Sequence, residues 1–142
     1  MLGSPQRLCP SASLREVPSE PRMTPRYLPA WLHPWERTRL ERFRREVRRA
    51  LGPRLVDLRL YGSRARGEGH ARSDLDVLVT VRRGSSDIVG RVYEISDRIA
   101  ADEGFPESGD VSPTIIDRAE WRFLLDRELL FGLEVQRDGI PI

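Results

Sequence analysis

Residues 62–76 read GSRARGEGHARSDLD, a Gly-Ser pair followed, after a spacer of ten residues, by Asp-x-Asp. An apolar run stands on each side. Upstream, Leu55-Val56-Asp57-Leu58-Arg59-Leu60-Tyr61 alternates with period two, which predicts a strand carrying Val56, Leu58 and Leu60 on one face and delivering Gly62 and Ser63 at its end. Downstream, Leu75, Val77, Val79 and Val81 share one face of a second strand. Asp74 and Asp76 then project from the opposite face, two residues apart, where their carboxylates can share divalent cations.

Between the strands, Ser63 is expected to cap a short helical turn whose free N–H groups attract phosphate oxygens, and Gly62 to let a bulky ligand approach the backbone. Phosphates and metals would then meet at one rim of a sheet. The plainer account makes Ser63 only a helix cap and the two aspartates only solvated residues at a strand start.

On these residues the chain resembles a family, the minimal nucleotidyltransferases (MNT proteins) of the DNA polymerase β superfamily. Their signature is G-S, a ten-residue spacer and D-x-D; the fuller pattern G-S-x-A-R-G with S-D-x-D is met here by Gly62, Ser63, Ala65, Arg66, Gly67, Ser73, Asp74 and Asp76. The likeness is strongest over residues 55–81, and weaker matches at residues 109–113 (GDVSP) and 137–141 (RDGIP) carry it to the C-terminus. The resemblance implies a polymerase β-like fold of the α/β (α+β) class, a small mixed β-sheet flanked by helices. It also implies a third carboxylate on a neighbouring strand. Asp110 is the matching candidate and Asp117 its rival, but Asp117 immediately precedes a helical pattern, where an N-cap is the simpler role. Because Pro113 cannot donate to a strand ladder, the Asp110 run is expected at a sheet edge or paired on one side only.

The activity that the resemblance implies is transfer of a nucleoside monophosphate, AMP from ATP, to a hydroxyl. Charge develops on the entering oxygen and on the leaving pyrophosphate, and two Mg2+ ions roughly 3.5 to 4 Å apart stabilise both ends of such an in-line displacement. Hard cations of this kind, Mn2+ included, select carboxylate oxygens. On this reading Asp74 and Asp76 hold the metals and Asp110 ligates the one that binds the attacking hydroxyl, while Gly62, Ser63, Arg66 and Ser73 contact the triphosphate. The resemblance further implies the antitoxin half of a HEPN–MNT toxin–antitoxin pair, in which the transferase adenylylates a tyrosine of the HEPN ribonuclease. The alternative is an MNT-like antitoxin that neutralises its partner by binding alone, with catalysis weak or lost.

Composition narrows the classes. The chain has 142 residues, 39% hydrophobic and 32% charged, enough for one core. All 24 of its Lys and Arg positions are arginine, so no Walker-type G-K-[ST] sequence occurs and a P-loop NTPase is excluded. A formal charge of +2 does not by itself argue for nucleic acid, although the sequence pI of 9.2 leaves that open, and direct nucleic-acid binding is not expected. Cys9 stands alone, and His33 and His70 have no partners at metal-ligand spacing, so neither an internal disulfide nor a zinc site is proposed. No apolar run approaches the ~18 residues of a membrane span and no signal pattern is evident; a cytoplasmic protein with no membrane partner is expected.

Residues 1–34 hold seven of the eleven prolines, mixed with Ser4, Ser11, Ser13 and Ser19, and read as a disordered or extended segment ahead of a domain at 35–142. Met23 is a second candidate for the natural start. From Trp35 to Leu51, helical spacing of Leu40, Phe43, Val47 and Leu51 leaves seven arginines and three glutamates on the other faces, as a solvated helix surface would have. Gly52-Pro53 stops this helix. After the second strand, Ser86 or Asp87 is expected to cap a helix buried through Ile88, Val92, Ile95 and Ile99, ended by Gly104 and Pro106. A last helical stretch runs from Arg118, with Gly132 as its expected break. Its Trp121, Phe123, Leu124, Leu125, Leu129, Leu130, Phe131, Leu133 and Val135 fall on more than one face, which predicts contact with a protein partner or a second copy.

Overall fold

The computed structural model describes residues 28–70, 72–103 and 109–142. Helix α1 (Pro34–Leu51) begins at a proline whose preset φ suits a first turn, and Glu36 closes that turn by accepting the His33 N–H at 2.7 Å. Its apolar stripe of Leu40, Phe43, Val47 and Leu51 is buried, as the spacing predicts. Gly52 ends the helix at φ 52°, its N–H returning to the Arg48 carbonyl, and a 3-10 turn at Gly52–Arg54 leads into strand β1 (Leu55–Tyr61).

From β1 the chain passes directly into a single helical turn, α2 (Gly62–Ala65), and then into β2 (Leu75–Val81). β2 runs antiparallel to β1, with Leu60 opposite Val77 and Tyr61 opposite Asp76. Helix α3 (Ser86–Glu103) crosses over to β3 (Val111–Asp117), which pairs with β2 in parallel and sets Ser112 opposite Asp76. Helices α4 (Arg118–Asp126) and α5 (Leu130–Asp138) follow, and β4 (Ile140–Pro141) closes the chain by pairing antiparallel with β1. The sheet order β3-β2-β1-β4 makes a mixed sheet flanked by helices, the expected α/β (α+β) class, and places β3 at the edge that Pro113 requires.

Alternation divides the sheet between two cores. Leu75, Val77, Val79 and Val81 meet α1 and α3 on one face, together with Leu58 and Leu60. Leu78 and Ile116 meet Val135 of α5 on the other, where Tyr61, Trp121, Leu124 and Phe131 complete the layer. Each buried Leu, Val or Phe contributes about 1.5–3 kcal/mol. With both faces covered, β2 is buried almost throughout, as the central strand of such a sheet should be.

Several local expectations shift. Val56 leaves the Leu58–Leu60 face because a bulge between Leu55 and Asp57 breaks the alternation, and Leu55 packs against the core in its stead. Ser85, not Ser86 or Asp87, accepts the Ile88 N–H and caps α3. The last helical stretch breaks at residues 127–129, where Glu128 has φ 50°, rather than at Gly132, which lies within α5 against Leu124. Asp117 does cap α4, accepting the Glu120 N–H at 2.8 Å. Of the proline-rich stretch, residues 1–27, with Cys9 and Met23, lie outside the described residues, as do Gly104 and Pro106. Residues 28–34 are held on the domain: Leu32 is buried in the first core, and Trp31 Nε1 donates to the Arg64 carbonyl at 2.9 Å.

Candidate active site

One rim of the sheet collects the end of β1 and the starts of β2 and β3, because β2 runs against β1 and along β3. That geometry gathers residues far apart in sequence. Asp76 lies between Tyr61 and Ser112 in register. Two residues earlier, the Asp110 N–H donates to Asp74 Oδ1 at 3.2 Å, and the Leu75 N–H donates to the Asp110 carbonyl at 2.8 Å. Asp74, Asp76 and Asp110 therefore occupy one corner of the sheet. Asp74 and Asp110 are exposed and Asp76 is half-buried.

Gly62 is what brings the β1 turn against that corner. Its φ of 74° belongs to the left-handed region, and a Cβ there would stand 2.6 Å from Asp76 Oδ2. The Asp76 carboxyl is pushed above its ordinary value, first by burial and second by the charge of Asp74. On the neighbouring strand, opposite Asp76, the Tyr61 hydroxyl hydrogen-bonds Thr114 Oγ1 at 2.9 Å and its ring meets Phe131 edge-on at 5.4 Å. Burial also raises the Tyr61 hydroxyl, against the opposing effect of its bond to Thr114.

The residues singled out in the Gly-Ser segment are differently placed. Ser63 does not cap the turn: Tyr61 holds the N-cap position of α2 without a side-chain bond, and Ser63 lies inside the turn, its carbonyl accepting the Glu68 N–H at 2.9 Å. Ser73 ties the connecting loop, its hydroxyl accepting the His70 N–H at 3.0 Å while its own N–H donates to the His70 carbonyl at 2.8 Å. Arg66 pairs with Glu68, at 3.0 Å, and with Asp138, at 3.8 Å. His70 accepts the Arg72 N–H and belongs to the same loop.

Sequence reasoning gave no role to Arg64, the unspecified position of the G-S-x-A-R-G pattern, yet it is buried and forked onto Glu36 of α1. Nor did it single out Ser112, which is exposed and directly opposite Asp76. The parallel register is the signal that finds Ser112, and no local pattern carries it.

The donor set suits a hard divalent cation. Asp76 is half-buried beside a second carboxylate, and a cation between them would offset both the burial and the repulsion that raise its pKa. Among the described residues, no group of three or more His, Cys, Asp or Glu is arranged to hold a metal by itself. Mg2+ is commonly bound through one or two carboxylates together with substrate phosphates and water, and a carboxylate pair meets that requirement.

Comparison with known proteins gives the family of the chain. A family model described as a nucleotidyltransferase domain matches residues 40–135, from within α1 to within α5. No curated protein matches the chain in sequence. Two solved structures of mutants of the toxin–antitoxin MntA-HpeT are distantly similar. One shares 18% identity at a TM-score of 0.41, over 67% of this chain and 65% of the other. The second shares 20% identity at a TM-score of 0.42, over 72% of this chain and 70% of the other. The chain thus spans just under two thirds of the first of these. Among the described residues, no helix is long and apolar enough to cross a membrane.

Proposed function

The chain belongs to the nucleotidyltransferase domain family, and on that premise we propose that it transfers AMP from ATP to a hydroxyl, with Asp74, Asp76 and Asp110 as its acidic centre. The observation that carries the reading is the convergence of these three aspartates at one sheet corner, beside a backbone turn that only glycine permits to approach so closely. Asp74 and Asp76 would hold Mg2+, or Mn2+ in its place. When bound, such ions supply positive charge to the entering and leaving oxygens of the displacement.

The chain's own groups then have distinct tasks. Asp110, exposed at the edge strand, is open to an acceptor arriving from solvent and would take the hydroxyl proton. The oxygen of that hydroxyl bonds to the α-phosphorus as the bond to pyrophosphate breaks. Gly62 and Ser63 would seat the triphosphate on the α2 turn. Ser73 keeps the loop between turn and acids in place, and Arg66 would reach the phosphates by exchanging its contacts with Glu68 and Asp138.

The acceptor we favour is a tyrosine of a HEPN-type ribonuclease, with this chain as its antitoxin in the cytoplasm. A protein partner is supported by Phe123, Leu129, Leu130 and Leu133, which remain exposed on α4, α5 and their connection while their neighbours fill the second core. The test is incubation with ATP labelled at the α-phosphate, Mg2+ and the product of the neighbouring gene, comparing wild type with Asp76→Asn. Label on the partner that vanishes in the variant upholds the reading. Neutralisation of the partner that persists unchanged in the variant replaces it with inhibition by binding alone.

A further inference from the structure

We infer that α1 positions both halves of the site from outside it, Glu36 setting the phosphate-seating turn through Arg64 and Arg39 setting Asp110 through the Gly109 carbonyl. The inference rests on the function proposed above. It starts from an anomaly: a domain this small buries three charged side chains, Glu36 at 0%, Arg39 at 1% and Arg64 at 5% exposure. Buried ion pairs are poor stabilisers compared with apolar residues of equal volume, so their presence asks for another reason.

Their contacts supply one. Glu36 Oε1 accepts from Arg64 Nε at 2.7 Å and Oε2 from Arg64 Nη2 at 2.8 Å, a two-point grip that fixes the guanidinium in angle as well as distance. Arg64 lies in the middle of α2, and its Nη1 donates to the Glu68 carbonyl at 3.0 Å, spanning the turn. Through Arg64, the turn that begins at Gly62 is pinned to the first turn of α1.

Three residues along the same helix, Arg39 Nη1 donates to the Gly109 carbonyl at 2.6 Å and stands 3.7 Å from Asp110 Oδ1. Gly109 is itself wedged against the other acidic strand, since a Cβ on it would lie 1.9 Å from the Ser73 carbonyl oxygen. Arg39 therefore holds the backbone at which the Asp110 and Asp74 segments meet. Glu36 and Arg39, at i and i+3, act from one side of α1 on two parts of the site. Both precede residue 40, where the family match begins.

The two arms should separate in kinetics, because one touches the seat of the nucleotide and the other the carboxylate facing the acceptor. Full-length wild type, Glu36→Gln, Trp31→Phe, Arg39→Gln and Arg39→Lys would be compared for Mg-ATP affinity by calorimetry, for rate of label transfer to the neighbouring gene's product at saturating ATP, and for melting temperature. Trp31→Phe is the milder variant of the Glu36 arm, removing the indole donor to the Arg64 carbonyl and part of the ring that lies along Gly67 while leaving the Glu36–Arg64 pair intact. Loss of such supporting contacts costs about 10–100-fold: Glu36→Gln and Trp31→Phe should raise the Kd for Mg-ATP with the saturated rate within about 3-fold, and Arg39→Gln should do the reverse. Arg39→Lys, which keeps a charge and a donor, should recover part of the rate. If every variant falls equally in both parameters, or only in proportion to its melting temperature, the inference is overturned while the function stands. A wild type that binds Mg-ATP in no measurable amount removes the function and the inference together.

Discussion

Glu36 and Arg64, 28 residues apart in sequence, face each other inside the protein with both guanidinium donors on one carboxylate, at 2.7 and 2.8 Å. The glutamate raises the Arg64 guanidinium above its ordinary value against the opposing effect of burial. Removing one partner strands the other charge. Glu36→Ala should therefore lower unfolding free energy by about 3–5 kcal/mol, whereas an apolar double replacement, Glu36→Met with Arg64→Leu, should recover most of that loss. Urea titration of Glu36→Ala, Glu36→Met, Arg64→Leu and the double replacement checks this; a double replacement as unstable as the sum of its two single changes would refute it.

Gly62→Ala should cost activity out of proportion to stability. The left-handed φ costs an L-residue roughly 1–2 kcal/mol. The added Cβ meets the far end of the Asp76 side chain, 2.6 Å away, which can rotate aside. The fold survives that rotation, but the carboxylate no longer faces Asp74. Transfer is expected to fall by about two orders of magnitude in a variant that still melts cooperatively, the scale of a misplaced reacting group.

Asp76 sets a pH dependence with a definite sign. Burial and Asp74 raise its carboxyl above the ordinary 3.8, so the folded protein keeps this proton to higher pH than the unfolded chain does. The stability linked to this group is full below pH 3.8 and is lost as pH rises through the folded value. Without divalent cations, Asp76→Asn should melt higher than wild type at neutral pH, and the difference should close on acidification below about pH 4. Adding Mg2+ should raise the wild-type melting temperature and leave the variant unmoved.

Leu130→Asp separates partner contact from folding. Leu130 is 71% exposed, so its replacement should change unfolding free energy by no more than about 0.5 kcal/mol. Affinity for the partner should drop at least about tenfold if this patch is buried in the complex. Denaturation and co-purification of the two chains give the two readouts, and an undiminished complex would move the interface elsewhere.

What the sequence disclosed and what it hid follow from range. Leu75, Val77, Val79 and Val81 could be assigned to one face because alternation is local, and Asp117 could be read as a cap because the helix it serves begins at the next residue. The same alternation placed Asp74 and Asp76 at a strand start without any tertiary information. Val56 was misplaced because a bulge depends on the partner strand, and β4 escaped notice because two residues show no periodicity. The roles of Glu36, Arg39 and Arg64 were invisible for a stronger reason. In a helix with seven arginines and three glutamates, nothing local distinguishes a solvated charge from one whose partner lies 28 or 70 residues away.

Trp31 gives the protein an optical reporter of its own. Its indole is 49% exposed, donates to the Arg64 carbonyl and lies along Gly67, at the back of the turn where the triphosphate would settle. A fluorophore so placed senses both solvent and the peptide dipoles of that turn. Its emission would change when the turn tightens, so nucleotide arrival could be followed in real time with no dye attached and no acceptor in hand.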